Sequence, residues 1–158
     1  MIAVLQRVSH ASVVVEGETV GTCKEGLCVL LGVARGDTEA DADALAAKIV
    51  GLRIFCDENG KMNRSVMDIG GEMLVVSNFT LLASYKKGKR PDYMNAAAPD
   101  EADRLYRYFT DLCRQSIPHV DCGVFGADMK LSILNDGPVT IVMDSRELLK
   151  KSNPEGKD

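Results

Sequence analysis

The chain has 158 residues, of which 46% are hydrophobic and 27% charged, and its formal net charge is −4 at pH 7. This length favours one domain that buries a core without disulfide or metal support, and the negative charge argues against a protein that coats nucleic acid through bulk electrostatics. No run approaches the ~20 apolar residues of a membrane span, and the first residues lack the basic start and long apolar stretch of a secretory signal. We therefore expect a soluble, cytoplasmic protein.

The first half of the chain predicts antiparallel strands and then a helix. The turn Glu16-Gly17-Glu18 separates short β-rich segments, which predict strands at Ile2–Val8, Ser12–Val15 and Thr19–Thr22. The continuous apolar run Leu27–Val33 is typical of a central strand that is covered on both faces. Next comes a helix capped by Asp37 or Thr38, since the following residues form one apolar stripe at helical spacing: Asp41, Leu45, Ile49 and Leu52.

The second half predicts one more buried strand, a second helix and a run of strands. Glu72–Phe79 reads as the buried strand, and Pro99 opens a helix that ends before Pro118. The remaining apolar runs predict three antiparallel strands at Val120–Phe125, Met129–Leu134 and Val139–Met143. Because Asn135-Asp136-Gly137-Pro138 interrupts the last two runs with turn-type residues, we expect a β-hairpin there.

These elements define the expected fold class as α+β, in a single domain. Its core is a largely antiparallel, barrel-like sheet that carries two main helices. The domain spans residues 1–145. Residues 146–158 are charged and end in a Pro- and Gly-containing segment, which predicts a flexible tail.

Most familiar catalytic and cofactor signatures are missing. Gly32-Val33-Ala34-Arg35-Gly36 lacks the spacing of a dinucleotide loop, and the other Gly-Lys pairs do not complete a phosphate-binding loop. The only imidazoles are His10 and His119, and Ser9 beside His10 would point to the opposite face of a strand, which disfavours a histidine-based triad. The five cysteines are odd in number and scattered, with no C-x-x-C pair. We expect reduced thiols, no metal site and no cofactor.

Two short segments carry the functional signal. In Ser77-Asn78-Phe79-Thr80-Leu81 an apolar strand ends abruptly in small polar residues, and Asn135-Asp136-Gly137-Pro138-Val139-Thr140 follows near the end of the domain. From composition alone Thr80 fits a solvent-facing strand residue equally well. Taken together, the two segments resemble the D-aminoacyl-tRNA deacylase family, whose signatures are a Ser-Gln-Phe-Thr-Leu segment and an Asn-x-Gly-Pro-x-Thr segment.

The resemblance covers the domain from Met1 to about Met143. It departs from the family pattern at Asn78, which stands where the family usually has glutamine and shortens that amide by one methylene. The resemblance also includes segments outside the two signatures, namely Gln6-Arg7-Val8, Gly60-Lys61-Met62-Asn63, Arg90-Pro91, Tyr106 and Phe125.

The resemblance implies a homodimeric ester hydrolase. Its substrate would be D-aminoacyl-tRNA, or mischarged glycyl-tRNA, cleaved at the ester to free amino acid and tRNA. The peptide Gly137-Pro138 would be cis and would enter the pocket of the other subunit, where it rejects L-aminoacyl groups. The active site would then lie at the subunit interface.

The same resemblance assigns roles to named residues of this chain. Backbone N–H groups around Phe79 and Thr80 would hold the substrate carbonyl, with Ser77 and Thr80 carrying the hydroxyl groups of the motif and Asn78 beside them. Arg7 would brace the Gly-Pro loop, and Phe125 and Met129 would line the adenosine or pocket wall. The cations of the basic loop would contact tRNA phosphates: Lys86, Lys87, Lys89 and Arg90.

Two other functions remain open from the sequence. A noncatalytic RNA-binding β-module would use the basic loop and the aromatic residues alone. A serine or cysteine hydrolase acting on small esters would use Ser77 or one of the thiols as its nucleophile.

Overall fold

A computed structural model describes residues 1–150 of the chain. Its elements are the strands β1 (Ile2–Val15), β2 (Glu18–Cys23), β3 (Gly26–Gly32), β4 (Phe55–Cys56), β5 (Met62–Arg64), β6 (Glu72–Ser77), β7 (Val120–Cys122) and β8 (Lys130–Asp144), a 3₁₀ turn (Phe79–Leu82), and the helices α1 (Glu39–Gly51), α2 (Pro99–Arg114) and α3 (Ser145–Leu149). Within this range no helix is both long and apolar enough to cross a membrane.

The main sheet is mixed and nearly closes into a barrel. Its strand order is β2-β1-β3-β6-β7, and β8 lies along the other side of β1. β1 is antiparallel to β2, β3 and β8, whereas the β3–β6 and β6–β7 pairings are parallel. The two ends of this path approach each other, since Thr22 N donates to Asp121 Oδ2 at 2.9 Å. The predicted α+β domain with a barrel-like core is therefore confirmed, with two parallel pairings in its sheet.

Helices α1 and α2 cover one face of the sheet. Thr38 is the N-cap of α1 and forms a capping box with Asp41, as one of the two predicted caps. The apolar stripes of both helices are buried against the sheet, and they include Leu45 and Ile49 on α1 and Leu105 and Phe109 on α2. This packing leaves the carboxyl ends of β3 and β6 beside the start of α2, where the pocket lies.

The predicted hairpin near the end of the domain is wrong. Residues 130–144 form one continuous strand, β8, which is antiparallel to β1 along its length. Gln6 pairs with Thr140 and Val8 with Asn135, so the residues between Asn135 and Thr140 bulge out of the ladder. A hairpin requires the two flanking runs to pair with each other, whereas here both runs pair with the single long strand β1.

The predicted strand Glu72–Phe79 is two residues too long. β6 ends at Ser77, and Phe79 begins a 3₁₀ turn that runs to Leu82. The turn begins at Asn78, whose N–H donates to Leu31 O at 2.8 Å and whose carbonyl accepts from Leu81 N at 3.3 Å.

The predicted tail starts with an ordered helix. Asp144 caps α3 by accepting from Arg146 N at 2.9 Å, and Ser145 is fully buried. Ser145 Oγ donates to Asp41 Oδ1 at 2.6 Å, which attaches the end of the domain to the start of α1. The predicted flexibility of residues 151–158 lies outside the described residues.

Candidate active site

One pocket of about 780 Å³ opens at the carboxyl ends of β3 and β6. It brings together residues that are far apart in the sequence, because the 3₁₀ turn, the segment before α2 and the connection from β7 to β8 all reach this edge of the sheet. Of the residues singled out in the sequence analysis, the pocket is lined by Ser77, Asn78, Phe79, Thr80, Phe125 and Met129.

The start of the 3₁₀ turn lies at the pocket. The N–H groups of Phe79 and Thr80 open the turn, where the first donors of a helix have no partner within the helix, and the Asn78 side chain does not cap them. Gly32 allows this turn to sit close to β3, since a Cβ atom at Gly32 would lie 3.0 Å from Asn78 O and 2.5 Å from Leu82 Cδ2. The strand therefore supports the turn directly.

The Thr80 hydroxyl is already occupied within the turn. Thr80 Oγ1 donates to Asn78 Oδ1, so the shorter amide of Asn78 contacts the hydroxyl of the motif. Neither histidine lines the pocket: His10 pairs with Leu134 on the exposed part of β1, and His119 Nε2 lies 2.9 Å from Thr22 O. In residues 1–150 the pocket thus offers no imidazole to activate Thr80 or Ser77.

The three buried thiols are poor nucleophiles. Burial raises the pKa of Cys23 to about 11, and burial raises the pKa values of Cys28 and Cys113 to about 12, so all three are protonated at neutral pH. Cys56 is exposed and Cys122 half-buried, and no cysteine in the described part of the chain lines the pocket. A cysteine hydrolase is therefore not supported.

The opposite wall of the pocket is aromatic and apolar. Phe125 packs at a tilted angle of 43° against Tyr106, with ring centroids 6.2 Å apart. Tyr106 is fixed because its hydroxyl donates to Val75 O at 2.7 Å, and burial raises the pKa of Tyr106, which keeps the phenol protonated. Met129 lies over Gly123, where a Cβ atom would come within 2.5 Å of the Met129 sulfur.

Two polar residues of the pocket, Tyr93 and Asp128, were not predicted from the sequence. Tyr93 meets Phe79 in a T-shaped contact with ring centroids 5.0 Å apart, and Asp128 lies on the turn before β8. Both come from segments whose composition is typical of loops. The only sequence signal for Tyr93 was its place directly after the basic loop and Arg90-Pro91.

The Gly-Pro element lies away from the pocket of its own chain. The Gly137-Pro138 peptide bond is cis, as the family resemblance implied, and Gly137 has φ +130°. Neither residue lines the pocket. Arg7 lies beside the bulge and is in register with Leu27 of β3. The part of β3 that lines the pocket starts three to four residues further on, at Leu30 and Leu31, so about 10 to 13 Å of strand separate Arg7 from the pocket.

Arg7 holds the bulge by its guanidinium group. Arg7 Nε donates to Asp136 O at 3.0 Å and Arg7 Nη1 donates to Ile54 O at 2.9 Å. The Asp136 carboxylate lies 3.6 Å from Arg7 Nε, and the Asn135 side chain accepts from Val139 N at 3.1 Å across the bulge. These contacts fix the main chain on both sides of Gly137-Pro138.

Comparisons with known proteins agree with this geometry. Residues 4–144 match the family described as D-Tyr-tRNA(Tyr) deacylase. The D-aminoacyl-tRNA deacylase of Dehalococcoides mccartyi is 60% identical over 149 residues, covering 94% of this chain and 97% of that protein. The enzyme of the same name from Caldicellulosiruptor bescii is 53% identical over 148 residues, covering 94% and 99%.

Solved structures show the same fold. The c-Myc DNA unwinding element binding protein superposes with a TM-score of 0.86 at 42% identity, covering 91% of this chain and 98% of that chain. A probable eukaryotic D-amino acid tRNA deacylase superposes with a TM-score of 0.76 at 17% identity, covering 90% and 97%.

These findings define the class of protein. It is a small α+β domain with a nearly closed mixed sheet and a 3₁₀ turn that lines its pocket. The chain belongs to the D-Tyr-tRNA(Tyr) deacylase family, which confirms the resemblance seen in its sequence.

Proposed function

We propose that this protein hydrolyses the ester that joins a D-amino acid to the 3′ end of tRNA, releasing the free amino acid and the tRNA. The observation that carries the proposal is the 3₁₀ turn Phe79–Leu82, whose first two residues line a pocket of about 780 Å³ and whose first N–H groups have no partner within the turn. Membership of the deacylase family supports it independently. Since tRNA is aminoacylated and used in translation in the cytoplasm, we assign the protein to that compartment.

The reaction requires positioning more than a catalytic side chain. The N–H groups of Phe79 and Thr80 hold the ester carbonyl and stabilise the negative oxygen that forms when water adds to the carbonyl carbon. The bond from that carbon to the ribose 3′ oxygen then breaks, and the oxygen takes up a proton. The neighbouring 2′-hydroxyl of the substrate assists the water, which fits a pocket without an imidazole.

The protein selects D-aminoacyl groups by steric exclusion of L-aminoacyl groups. The Gly137-Pro138 main chain of one subunit enters the pocket of the other and clashes with an L side chain, whereas a D side chain points away from it. Glycine has no side chain to exclude, so mischarged glycyl-tRNA is also a substrate. The guanidinium contacts of Arg7 support this role, because a selective wall must be rigid.

The homodimer is supported by one edge of β8, which pairs with no other strand within residues 1–150. β8 pairs with β1 on one side, and its outward face carries one strongly exposed apolar side chain on each side of the bulge, among polar neighbours. Leu134 is 62% exposed and Val142 is 68% exposed. Exposed apolar residues along a strand edge are typical of a surface that another chain covers, and a two-fold dimer would present both bulges to the facing subunits.

The tRNA itself is held near its acceptor end. Lys86, Lys87, Lys89 and Arg90 are exposed on one loop beside Tyr93 of the pocket, where they contact phosphates. A protein with a net charge of −4 is suited to hold only this end of the RNA.

A noncatalytic nucleic-acid-binding module is the second candidate. It is favoured by the name of the relative of known structure, which describes binding to a DNA unwinding element. Such a module would leave the pocket without a role and would not distinguish the two forms of an aminoacyl ester.

Matched D-tyrosyl-tRNA and L-tyrosyl-tRNA decide between the two functions. We expect release of D-tyrosine well above the uncatalysed rate, with L-tyrosyl-tRNA left intact. The Ala127→Trp variant, which places an indole in the pocket, should lose this activity and still bind uncharged tRNA. Binding of tRNA without release of D-tyrosine by the unsubstituted protein would leave only the module.

A further inference from the structure

A basic and aromatic loop stands beside the pocket without lining it. The loop comprises residues 84–92 and is closed at its base, since Ser84 N donates to Asp92 O at 2.8 Å and Asp92 N donates to Ser84 O at 2.9 Å. The next residue is Tyr93, which lines the pocket and contacts Phe79. The 84–92 loop is therefore a defined turn that extends directly from the mouth of the pocket.

The positive charge of this loop is not neutralised by the protein. Several arginines on other surfaces are paired with carboxylates, as Arg104 is with Glu101 and Arg107 with Asp103. Within residues 1–150, none of the four cations of the 84–92 loop forms an ion pair with a carboxylate. The loop carries a net charge of +3, whereas the rest of the chain carries −7.

An aromatic side chain sits within this charge. Tyr85 is 83% exposed, more than the other large hydrophobic side chains that are exposed in the described part of the chain. Both faces of its ring are thus open to a planar partner. An exposed aromatic ring among cations is the combination that binds unpaired nucleotides, because bases stack on the ring while the cations hold the backbone phosphates.

We infer that the 84–92 loop binds the unpaired nucleotides that precede the 3′-terminal adenosine of tRNA, with a base stacked on Tyr85; this inference rests on the proposed function. A duplex is a poorer partner, because its bases already stack on one another and its length would bring phosphates against the negative remainder of the chain. The loop ends directly before Tyr93, which lines the pocket, so a strand whose last nucleotide occupies the pocket passes over the loop.

The test compares two substrates that differ only in these nucleotides. D-Tyrosyl-tRNA carries the unpaired strand and D-tyrosyl-adenosine does not. Stacking of one base is worth ~1–3 kcal/mol, so Tyr85→Ala should lower kcat/KM for D-tyrosyl-tRNA by about 5- to 150-fold relative to its effect on D-tyrosyl-adenosine. Tyr85→Phe, which keeps the ring, should restore most of this loss.

The charges are tested by salt dependence with a matched control. The double variant Lys86→Gln/Lys87→Gln should reduce the slope of log affinity against log salt by about 1.4, as expected for two phosphate contacts on a single strand. The double variant Lys48→Gln/Lys61→Gln removes the same charge from exposed sites elsewhere and should leave the slope unchanged.

The outcomes separate this inference from the proposed function. If the unsubstituted protein hydrolyses neither substrate, the proposed function is overturned. The loop is then tested separately, by comparing the binding of an RNA hairpin that carries a 3′ CCA overhang with the binding of a blunt hairpin. Equal effects of Tyr85→Ala on both substrates, or equal loss of binding to overhanging and blunt hairpins, would overturn the assignment of the loop.

Discussion

Arg7 and Asp136, which are 129 residues apart in sequence, are joined by a 3.0 Å hydrogen bond from the Arg7 guanidinium to the Asp136 carbonyl. The same guanidinium donates to Ile54 O, so one side chain ties the β8 bulge to the segment after α1. The bulge is the part of the structure that we propose to enter a second subunit. Its position is therefore controlled by a residue that does not line the pocket of its own chain.

Replacing Arg7 with lysine should loosen this bulge. A single ammonium group cannot reproduce two directed N–H contacts, and hydrogen bonds from charged donors contribute ~1.5–3 kcal/mol each. We expect kcat/KM for D-tyrosyl-tRNA to fall by about 10- to 100-fold, with less rejection of L-tyrosyl-tRNA. Arg53→Lys, at an exposed arginine, is the control and should behave as the unsubstituted protein. Equal activity of both variants would show that Arg7 does not position the bulge.

The Phe79 N–H is tested by comparing Phe79→Pro with Phe79→Ala. Both variants lose the aromatic ring, but only proline also loses the N–H, and proline is tolerated at the first position of a helical turn. Asn78 has φ −147° and ψ 88°, which lies outside the α region that a following proline disfavours. We expect kcat for Phe79→Pro to be ~10²–10³ below that for Phe79→Ala. Equal rates would remove this donor from the mechanism.

The Thr80 hydroxyl should not act as a nucleophile. Thr80→Val keeps the shape of the side chain and removes the hydroxyl, which already donates to Asn78. Single-turnover deacylation of D-tyrosyl-tRNA should fall by less than about tenfold, because the main-chain donors remain. A loss of the whole activity, in a variant that still binds tRNA and unfolds at the same temperature, would identify Thr80 as the attacking group.

The Asp41–Ser145 contact predicts a pH-dependent stability. Burial raises the pKa of Asp41, but hydrogen bonds from Ser145 and Thr38 and the nearby Met1 ammonium outweigh it, so the net pKa lies below the usual value. A lowered pKa stabilises the fold above the unfolded-state pKa of about 3.9 and loses that effect as pH falls through the folded value. Ser145→Ala should lower the free energy of unfolding by ~1.5–3 kcal/mol at pH 7.

This difference should begin to shrink as the pH falls below the unfolded-state pKa of about 3.9, and it should shrink further as the pH falls through the lower pKa of folded Asp41. Urea unfolding at pH 7 and at pH 3 measures it. Ser116→Ala, at an exposed serine, is the control and should change stability little at either pH. A Ser145→Ala effect that is the same at both pH values would contradict the assigned role of the Asp41 carboxylate.

Elements with strong local signals could be predicted from the sequence. The uninterrupted apolar run predicted at Leu27–Val33 is β3 at Gly26–Gly32, and the helix predicted after Thr38 is α1. The β8 bulge could not be predicted in the same way. The two apolar runs around Gly137-Pro138 have the same sequence pattern whether they pair with each other or with a third strand. Which pairing forms depends on the tertiary structure.

The site was predictable where it was contiguous in sequence. Ser77 to Thr80 stood out as a polar end to an apolar strand, and the structure places them together at one pocket. Tyr93 and Asp128 were missed because they are isolated residues in loops, and only the packing of those loops against the turn brings them to the same pocket. The end of β6 was missed since the 3₁₀ turn depends on the contact between Asn78 and Leu31 on a neighbouring strand.

A mixture of two inactive variants tests the central claim that the bulge of one subunit completes the pocket of the other. Ala127→Trp blocks the pocket and leaves the bulge intact. Gly137→Ala leaves the pocket intact and alters the bulge, because Gly137 has φ +130° and a Cβ atom there would lie 3.0 Å from Arg7 Nη2. Each variant alone should be inactive toward D-tyrosyl-tRNA, Gly137→Ala because its displaced bulge leaves the facing pocket incomplete.

The two variants are unfolded together, refolded and assayed with D- and L-tyrosyl-tRNA. Random pairing in a two-fold dimer gives one intact site in each mixed dimer, so we predict recovery of about a quarter of the normal activity, with L-tyrosyl-tRNA still rejected. A mixture no more active than the two variants measured separately would contradict the claim.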